Sequence, residues 1–541
     1  MAEPAHILAA LTDGSRDQIV YDLTGIESQY DTLRAELPSA AVRFALKACP
    51  LPDVLTCLAD RGAGFDAASP GEIRQVLRTG VSPRRVHYGN TVKSDSEIAT
   101  AFQLGVTTFA TDCVEDVRAI ARHAPGARVF CRVATSGQGA LWGLTSKCGT
   151  HDAVGVLEEA RGLGLVPAGL SVHVGSQQMT VHGWEAALDE LAAILPKLAV
   201  RGIHLDHINL GGGLPAHGYL TADGTALNPP TAEIFRAIRA GIHRLREVAC
   251  GALDFLIEPG RYLVADHGTI RARVARLTIR QERWLYLSCG RFNGLYEGDR
   301  LRYPMAFPTR GDSPRTPAIV AGPTCDSDDT LGDAPVPQDL SSGDPVWIRS
   351  VGAYAVSYTT RGFNGYEPLP HVAVRAERIR PIEAADWEAI AELETHAYAE
   401  RGLSEERGVL QSRAAASPAT SFVLDTGERI GGYLIALPYP RFRFPDPDVQ
   451  ENETHSSANL HLHDLVIGSG LRNHGWAKRM LRHLTDTARA LRYERMSLIA
   501  VSGTAGFWSG QGYRPHPDVV LPAGYGPDAL YLSRAITGEG S

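Results

Sequence analysis

The stretch 62-GAGFDAASPGEIRQVLRTGVSPRRVHYGNT-91 decides how the first half of the chain is read. GAGFDAAS is a short apolar run bounded by turn residues, which is the pattern of a buried strand. PGEIRQVLRTG is amphipathic at helical spacing, and RVHYGNT is a second apolar run. The unit is therefore strand, helix, strand. Working outward, AVRFALKA precedes it, and TTFATD, RVFCRVA, LSVHVGS, HINLGGG and DFLIEPGR follow. Helix-like stretches such as DSEIATAFQLG, VEDVRAIARHA and GWEAALDELAAILPKLAVRG separate them. Eight strand-like runs between about residues 38 and 265, each followed by a helix or long loop, fit an α/β barrel, the (β/α)8 arrangement. An open doubly wound sheet is the competing arrangement. In a barrel, functional residues gather at the C-terminal ends of the strands.

The chain has 541 residues, too many for one hydrophobic core, so two or three domains are expected. Hydrophobic residues make up 44% and charged residues 21%, as in globular enzymes. The net charge of -8, without a lysine or arginine block, argues against nucleic acid and anionic membrane as partners. No apolar run has the length of a spanning helix, and the N-terminus lacks the layout of a signal peptide. A cytoplasmic location is expected. The eight cysteines form no CxxC pair, which favours free thiols over a disulfide framework or a metal site.

After residue 265 the texture changes. GTIRARVARLTIRQ, RWLYLSCG, PAIVAGPTC and DPVWIRSVGAYAV read as antiparallel strands of an appended β-domain. The expected organisation is a barrel over 1–265, whose N-terminal strand joins the β-domain, a β-domain over 266–372, and an α+β unit over 375–536. Prolines near 366-YEPLPHVAV mark a linker. The segment 438-YPRFRFPDPDVQENETHSSA-457 reads as a mobile polar loop.

Eight motifs occur in one order: FALKA (44–48), FDAASPGEI (65–73), YGNTVK (88–93), HVGSQ (173–177), NLGGGLP (209–215), IEPGRYLVA (257–265), GPTCDSDD (322–329) and GAYAVSYTTRGFNGY (352–366). Together they resemble the fold-type III pyridoxal-phosphate decarboxylases, which include the ornithine/lysine and diaminopimelate decarboxylases. The resemblance implies that Lys47 carries the pyridoxal phosphate and that Glu258 faces its pyridine nitrogen. It assigns His173 to the ring face, and Arg132 and Asp66 to the neighbourhood of ring and lysine. Ser176, Arg261 and Tyr354 match phosphate contacts, the Gly211, Gly212 and Gly213 run would let backbone N–H groups approach the phosphate, and Gly260 is a further cofactor-binding position. In this family the GPTCD loop comes from the partner subunit of a homodimer. Its cysteine, here Cys325, is the candidate proton donor to the substrate carbon, and Asp326 would bind the distal ammonium of a basic amino acid. A thiol set among Asp326, Asp328 and Asp329 suits a donor better than a nucleophile, because carboxylates repel a thiolate. Glu297 in GRFNGLYEG falls where ornithine decarboxylases carry a second acid. The CDS sequence favours a substrate with an amine end, while HVGSQ and NLGGGLP lean toward the diaminopimelate branch; ornithine, lysine or a modified relative remain open.

The C-terminal unit holds 461-HLHDLVIGSGLRNHGWAKRMLRHLTDTARAL-491. Arg472, Asn473, His474, Gly475, Trp476 and Ala477 fit R-x-x-G-x-A on a strand-to-helix turn, whose free N–H groups suit a pyrophosphate. With 503-GTAGFWSGQGYRP-515 and 378-RIRPIEAADWEAIAELE-394, the segment resembles the GNAT acyl-CoA N-acyltransferases. The resemblance implies acetyl-CoA as cosubstrate, held by that turn together with Val466 and Ile467. His461 and His463 are candidate bases for the acceptor amine, and Tyr513 a candidate acid where the usual tyrosine is replaced by Phe507-Trp508.

The leading reading is a bifunctional enzyme: a decarboxylase making a diamine, and an acetyltransferase acting on an amine, with that diamine as the expected acceptor. Fusions of this type resemble those of natural-product and siderophore pathways. A GNAT half with a separate acceptor, a racemase, and a regulatory homologue without catalysis are the alternatives.

Overall fold

The computed structural model describes the chain apart from residues 1–2, 13–15, 250, 400–401, 427–428, 448, 502, 523–524, 526–527 and 537–541. Cys250 therefore lies outside the described residues. The chain divides into two compact units, Met1–Val374 and Arg375–Ser541.

In the first unit, the eight strand-like runs are the eight strands of a closed parallel barrel. They are Ala40–Ala45, Gly64–Ala67, Val86–Tyr88, Thr108–Thr111, Arg128–Arg132, Val166–Ser171, His207–Asn209 and Asp254–Ile257. The last closes on the first through Phe255 opposite Ala40 and Ile257 opposite Val42. The open doubly wound sheet is thus excluded. Local signals start the outer helices cleanly. Ser69 accepts from the Glu72 backbone N–H with Pro70 in the first turn, and Ser94 and Glu97 form a reciprocal capping box. The barrel strands are buried from both sides, as parallel strands covered by helices must be.

The appended sheet is mixed, which corrects the antiparallel expectation. Gly268–Ile279 pairs antiparallel with Pro345–Arg349, Arg283–Leu287 and the N-terminal strand Gln18–Asp22. Arg283–Leu287 runs parallel to Arg315–Ala321, and Gln18–Asp22 parallel to His371–Val374. A further strand, Thr330–Pro337, lies at the end of the sheet, where its prolines leave no ladder bond unmade.

The second unit is built on a sheet in the order Arg378–Pro381, Phe422–Asp425, Ile430–Pro438, Asn459–Ile467, Arg495–Ala500, Leu530–Ala535, Arg514–Pro515. Strand alternation splits its core in two. Phe422, Leu424, Leu434 and Ala436 pack under the helix Trp476–Ala490, while Val423, Tyr433 and Ile435 pack under Trp387–Tyr398 and Arg407–Ala416. The 438–457 segment is irregular but tied down. Arg413 donates to the Asp446 carbonyl at 2.6 Å and the Glu451 N–H to Ser412 Oγ at 2.9 Å. Among the described residues, no helix is long and apolar enough to cross a membrane.

Candidate active sites

The barrel strands deliver their C-terminal ends to one cavity of about 960 Å³. Lys47 lies in the turn after the first strand, Asp66 near the end of the second and Arg132 at the end of the fifth. His173, Gly212, Gly213 and Glu258 follow the sixth, seventh and eighth strands, and all of these line the cavity. Ser176, Gly260, Arg261, Glu297 and Tyr354 complete the wall. The residues expected around the cofactor are thus brought together, Gly211 excepted, which adjoins the lining residue Gly212.

Gly212 and Gly213 line the cavity, and Gly211 precedes them in the same turn. At Gly211 (φ +68) an added Cβ would meet the Val172 carbonyl oxygen at 1.9 Å, and at Gly213 (φ +119) the Gly175 carbonyl at 2.6 Å. The backbone there is both left-handed and in close approach, so only glycine fits. The Gly211 N–H donates to Asn209 Oδ1 at 2.9 Å, and its carbonyl accepts from the Glu258 N–H at 2.8 Å. Asn209 Nδ2 in turn donates to the Glu258 carboxylate. The glycine turn and Glu258 are therefore one bonded unit.

The charges are arranged as a network. Burial alone would push Lys47 down, but Tyr354, Asp66 and Glu258 outweigh it and hold the ammonium above its ordinary value. Burial works against the Glu258 carboxylate too, yet His87, Asn209 and Lys47 hold it well below the usual range. His173 is pushed down to about 3, first by burial and then by the charges of Lys47 and Arg132, and is a neutral imidazole. Tyr354 adopts φ 66, rare for a side-chain-bearing residue, and is pinned there by its N–H on the Ala48 carbonyl at 2.7 Å. Ser357 Oγ donates to the Lys47 carbonyl at 2.7 Å, so the lysine turn and the 352–358 segment are locked together.

Two residues were not singled out from sequence. His87, fully buried in the third strand, stands with Nε2 at 2.9 Å from Glu258 Oε1 and 3.2 Å from Asp66 Oδ1. Asp66, His87 and Glu258 bring donor atoms within 4.8 Å of one another, and the imidazole stands between the two acids. Burial lowers its proton affinity, and the two carboxylates more than restore it. Its motif reads only as a strand, so no pattern announces it. Trp142, on a short strand paired antiparallel with Ser176–Gln178, covers the Arg261 guanidinium at 4.3 Å.

Two expectations, for Glu297 and for Asp329 beside the thiol, are modified. Glu297 lines the cavity, but both its oxygens accept from Arg261, at 2.6 and 2.7 Å, so it does not present a free carboxylate. Cys325 and Asp326 are exposed and are not part of the cavity wall of their own chain. Cys325 Sγ lies 3.2 Å from Asn364 Oδ1. Of the neighbouring acids, Asp329 is turned inward, accepting from the Arg291 and Thr324 N–H groups at 2.7 and 3.0 Å; it clamps the loop rather than flanking the thiol. The seven cysteines among the described residues are free thiols.

In the second unit, Asn459–Ile467 pairs in parallel with Arg495–Ala500 only from Asn459 to Leu462. Beyond Leu462 the two strands part, and a register shift lets His463 and Asp464 reach one cavity of about 550 Å³. His461, Glu394, Tyr398, Glu405, Asp446 and Tyr525 also line it. His463 Nε2 is 3.0 Å from Glu405 Oε1, and Arg413 pairs with the other oxygen. Burial first, then Arg413, pushes His463 down to about 3. The guanidinium neutralises Glu405, so the imidazole is oriented without being charged. His461 is likewise pushed down to about 3 by burial and lies 3.0 Å from Ser497 Oγ. Tyr398 and Tyr433 both donate to Asp464.

Tyr513 requires correction. It is packed in the core against Trp508 and Met496, with Arg534 over its ring, and does not line the cavity. Burial pushes its hydroxyl up to about 12. The Val466, Ile467 and Arg472–Ala477 turn is formed as expected. Asn473 and Gly475 take left-handed backbone, Arg472 Nε donates to the Ile467 carbonyl at 3.0 Å, and the helix begins at Trp476.

Comparison with known proteins agrees with this geometry. The pyridoxal-dependent decarboxylase, pyridoxal binding domain family matches residues 23–265, and the acetyltransferase (GNAT) family matches residues 387–513. The chain is 31% identical over 359 residues to the lysine/ornithine decarboxylase of Selenomonas ruminantium, covering 65% of this chain and 88% of that protein. It is 28% identical over 369 residues to the ornithine decarboxylase of Schizosaccharomyces pombe, covering 64% and 81%. The crystal structure of lysine decarboxylase from Selenomonas ruminantium matches with a TM-score of 0.62 at 29% identity, over 69% of this chain and 96% of that one. The lysine/ornithine decarboxylase of Vibrio vulnificus complexed with putrescine matches with a TM-score of 0.60 at 26% identity, over 68% and 97%. The chain therefore belongs to the pyridoxal-phosphate-dependent lysine/ornithine decarboxylase family and joins to it a GNAT acetyltransferase domain, with pyridoxal phosphate as the cofactor of the one and acetyl-CoA as the cosubstrate of the other.

Proposed function

We propose that the barrel decarboxylates ornithine or lysine to a diamine, and that the GNAT unit acetylates an amine, the diamine being the favoured acceptor. The observation that carries the first half is the single cavity joining Lys47, His173, Glu258, the glycine turn and Arg261. These residues fit the cofactor. The floor at Gly211 and Gly213 has no room for a Cβ, which suits a phosphate cradle, and Ser176 and Arg261 add donors beside it. Glu258, kept ionised by His87 and Asn209, suits a pyridine N–H, and neutral His173 suits a ring face. Lys47 would hold the cofactor covalently, and its raised affinity for a proton means that it must first give that proton up. Bound pyridoxal phosphate supplies the sink for the electron pair released when the carboxylate leaves as carbon dioxide.

The substrate carbon then needs a proton. Cys325 is our donor, and Asp326 our partner for the distal ammonium. Their exposure, outside the cavity of their own chain, supports a homodimer in which this loop completes the neighbouring site. The relatives named lysine/ornithine and ornithine decarboxylases support a substrate ending in an amine.

In the GNAT unit, the acceptor amine must lose a proton as its nitrogen attacks the thioester carbonyl, and the thiolate of CoA leaves and is protonated. His463, neutral and oriented by Glu405, is the base we favour over His461. Glu394, Asp446 and Asp464 around the cavity suit the second, charged end of a diamine.

The test is mass spectrometry of products from ornithine, lysine and meso-diaminopimelate with pyridoxal phosphate, with and without acetyl-CoA. Putrescine or cadaverine, converted to a monoacetyl form when acetyl-CoA is present, is the expected result. A diamine that stays unacetylated would assign the GNAT unit another acceptor. No carbon dioxide from any of the three would overturn the decarboxylase half.

A further inference from the structure

Arg261 and Glu297 form a closed pair inside the barrel cavity, with side chains 3% and 5% exposed. Nη1 and Nη2 donate to the two carboxylate oxygens in a fork. Nη1 also donates to the Tyr219 hydroxyl at 3.0 Å, and Nε and Nη2 to Ser176 Oγ at 3.4 and 3.3 Å. Trp142 and Tyr354 lie on the guanidinium at 4.3 and 4.8 Å. Both the terminal nitrogens and Nε are thus engaged, yet Arg261 and Ser176 are the side chains that the proposed function gives to the cofactor phosphate. A phosphate and the Glu297 carboxylate make the same demand on one guanidinium, and two anions side by side repel.

We propose that Glu297 is a carboxylate displaced by phosphate: it holds Arg261 in place until the cofactor loads, and the arriving phosphate takes over the guanidinium and frees Glu297 for the distal ammonium of the substrate. The aromatic faces of Trp142 and Tyr354, with Tyr219 and Ser176, keep Arg261 in position through the exchange. The ammonium site is then complete only in the loaded enzyme, so cofactor binds before substrate. Linkage requires the reverse as well: a diamine that binds the freed carboxylate tightens the hold on phosphate by the same factor. The inference rests on the phosphate reading of Ser176 and Arg261.

The experiment is calorimetric titration of cofactor-free protein with inorganic phosphate and with pyridoxal phosphate, for wild type, Glu297→Gln and Glu297→Asp. Glu297→Gln keeps the shape and removes the charge. It is expected to bind both ligands about five- to tenfold tighter, in the usual range for coupled sites. Its KM for ornithine or lysine should rise at saturating cofactor. Glu297→Asp retains the charge and is expected to bind phosphate as weakly as wild type. In the wild type itself, inorganic phosphate should strengthen putrescine binding, which needs no variant. Unchanged or weaker phosphate binding by Glu297→Gln, or putrescine binding indifferent to phosphate in the wild type, would overturn the exchange. Pyridoxal phosphate that binds wild type while inorganic phosphate and putrescine show no mutual effect removes the exchange alone. Failure of pyridoxal phosphate to bind either protein removes the cofactor reading with it.

Discussion

Gly211→Ala is the sharpest perturbation of the barrel site. The added Cβ would stand 1.9 Å from the Val172 carbonyl oxygen, about 1.1 Å short of the 3.0 Å that such atoms tolerate. Its obstacle is backbone of the neighbouring barrel strand end, which cannot swing aside as a side chain does. The glycine turn must therefore lift. It is bonded to Asn209 through its N–H and to Glu258 through its carbonyl, so the lift drags the pyridine partner with it. The left-handed backbone costs about 1 kcal/mol for an alanine, and weakening two hydrogen bonds costs about 1 kcal/mol each. The sum, about 3 kcal/mol, corresponds to roughly a hundredfold, to be divided between stability and cofactor affinity. Gly62→Ala is the control. Gly62 has φ +92 but nothing within 4 Å of an added Cβ, and it precedes its strand at the far end of the barrel. It carries the backbone cost alone. Titration with pyridoxal phosphate by fluorescence, with thermal melts of both variants, separates the two. Gly62→Ala should bind the cofactor like wild type, and Gly211→Ala at least about tenfold more weakly. Equal affinity in the two variants would refute the cradle.

Other outcomes follow from the same structure. His87 is held above its ordinary 6.5, so the stability it contributes is full below that value and lost as pH rises through the folded value; the melting-temperature gap between wild type and His87→Gln should narrow with rising pH, and a constant gap would contradict the ion-pair reading. His173, His461 and His463 have the opposite sign. Each is pushed down to about 3 in the fold, so stability should fall as pH drops below 6.5, by up to about 1.4 kcal/mol per pH unit per histidine. Calorimetry across that range checks it, and a flat profile down to the carboxylate range would refute it. His463→Gln should lower acetyl transfer by about a hundredfold while leaving carbon dioxide release intact. Tyr513→Phe should leave transfer rates unchanged, because its hydroxyl faces Met496 in the core.

The barrel was legible because parallel strands covered on both faces read as unbroken apolar runs between turn residues. The site was legible because its residues follow those runs directly, where a barrel places its chemistry. Where the reading fell short, the cause is physical. Thr330–Pro337 holds two prolines, a glycine and an aspartate, which an end strand tolerates, so it reads as loop. Strand direction in the appended sheet depends on pairings far apart in sequence. His87 looks like any buried strand residue until Asp66 and Glu258 are brought against it. Glu405 and Arg413 precede His463 by tens of residues, and no local spacing links them. Tyr513 sits within a recognisable motif, yet burial rather than motif decides what its hydroxyl can do.

The most direct test of the central claim is to locate the cofactor lysine. The protein loaded with pyridoxal phosphate is reduced with borohydride, digested, and its peptides are weighed. The account predicts one modified peptide, carrying reduced pyridoxal phosphate on Lys47, absent from Lys47→Ala. Lys93, buried and paired with Asp116 at 2.8 Å, should remain unmodified. An adduct on Lys93 or another lysine, or none at all, would contradict the assignment of this barrel as the decarboxylase site.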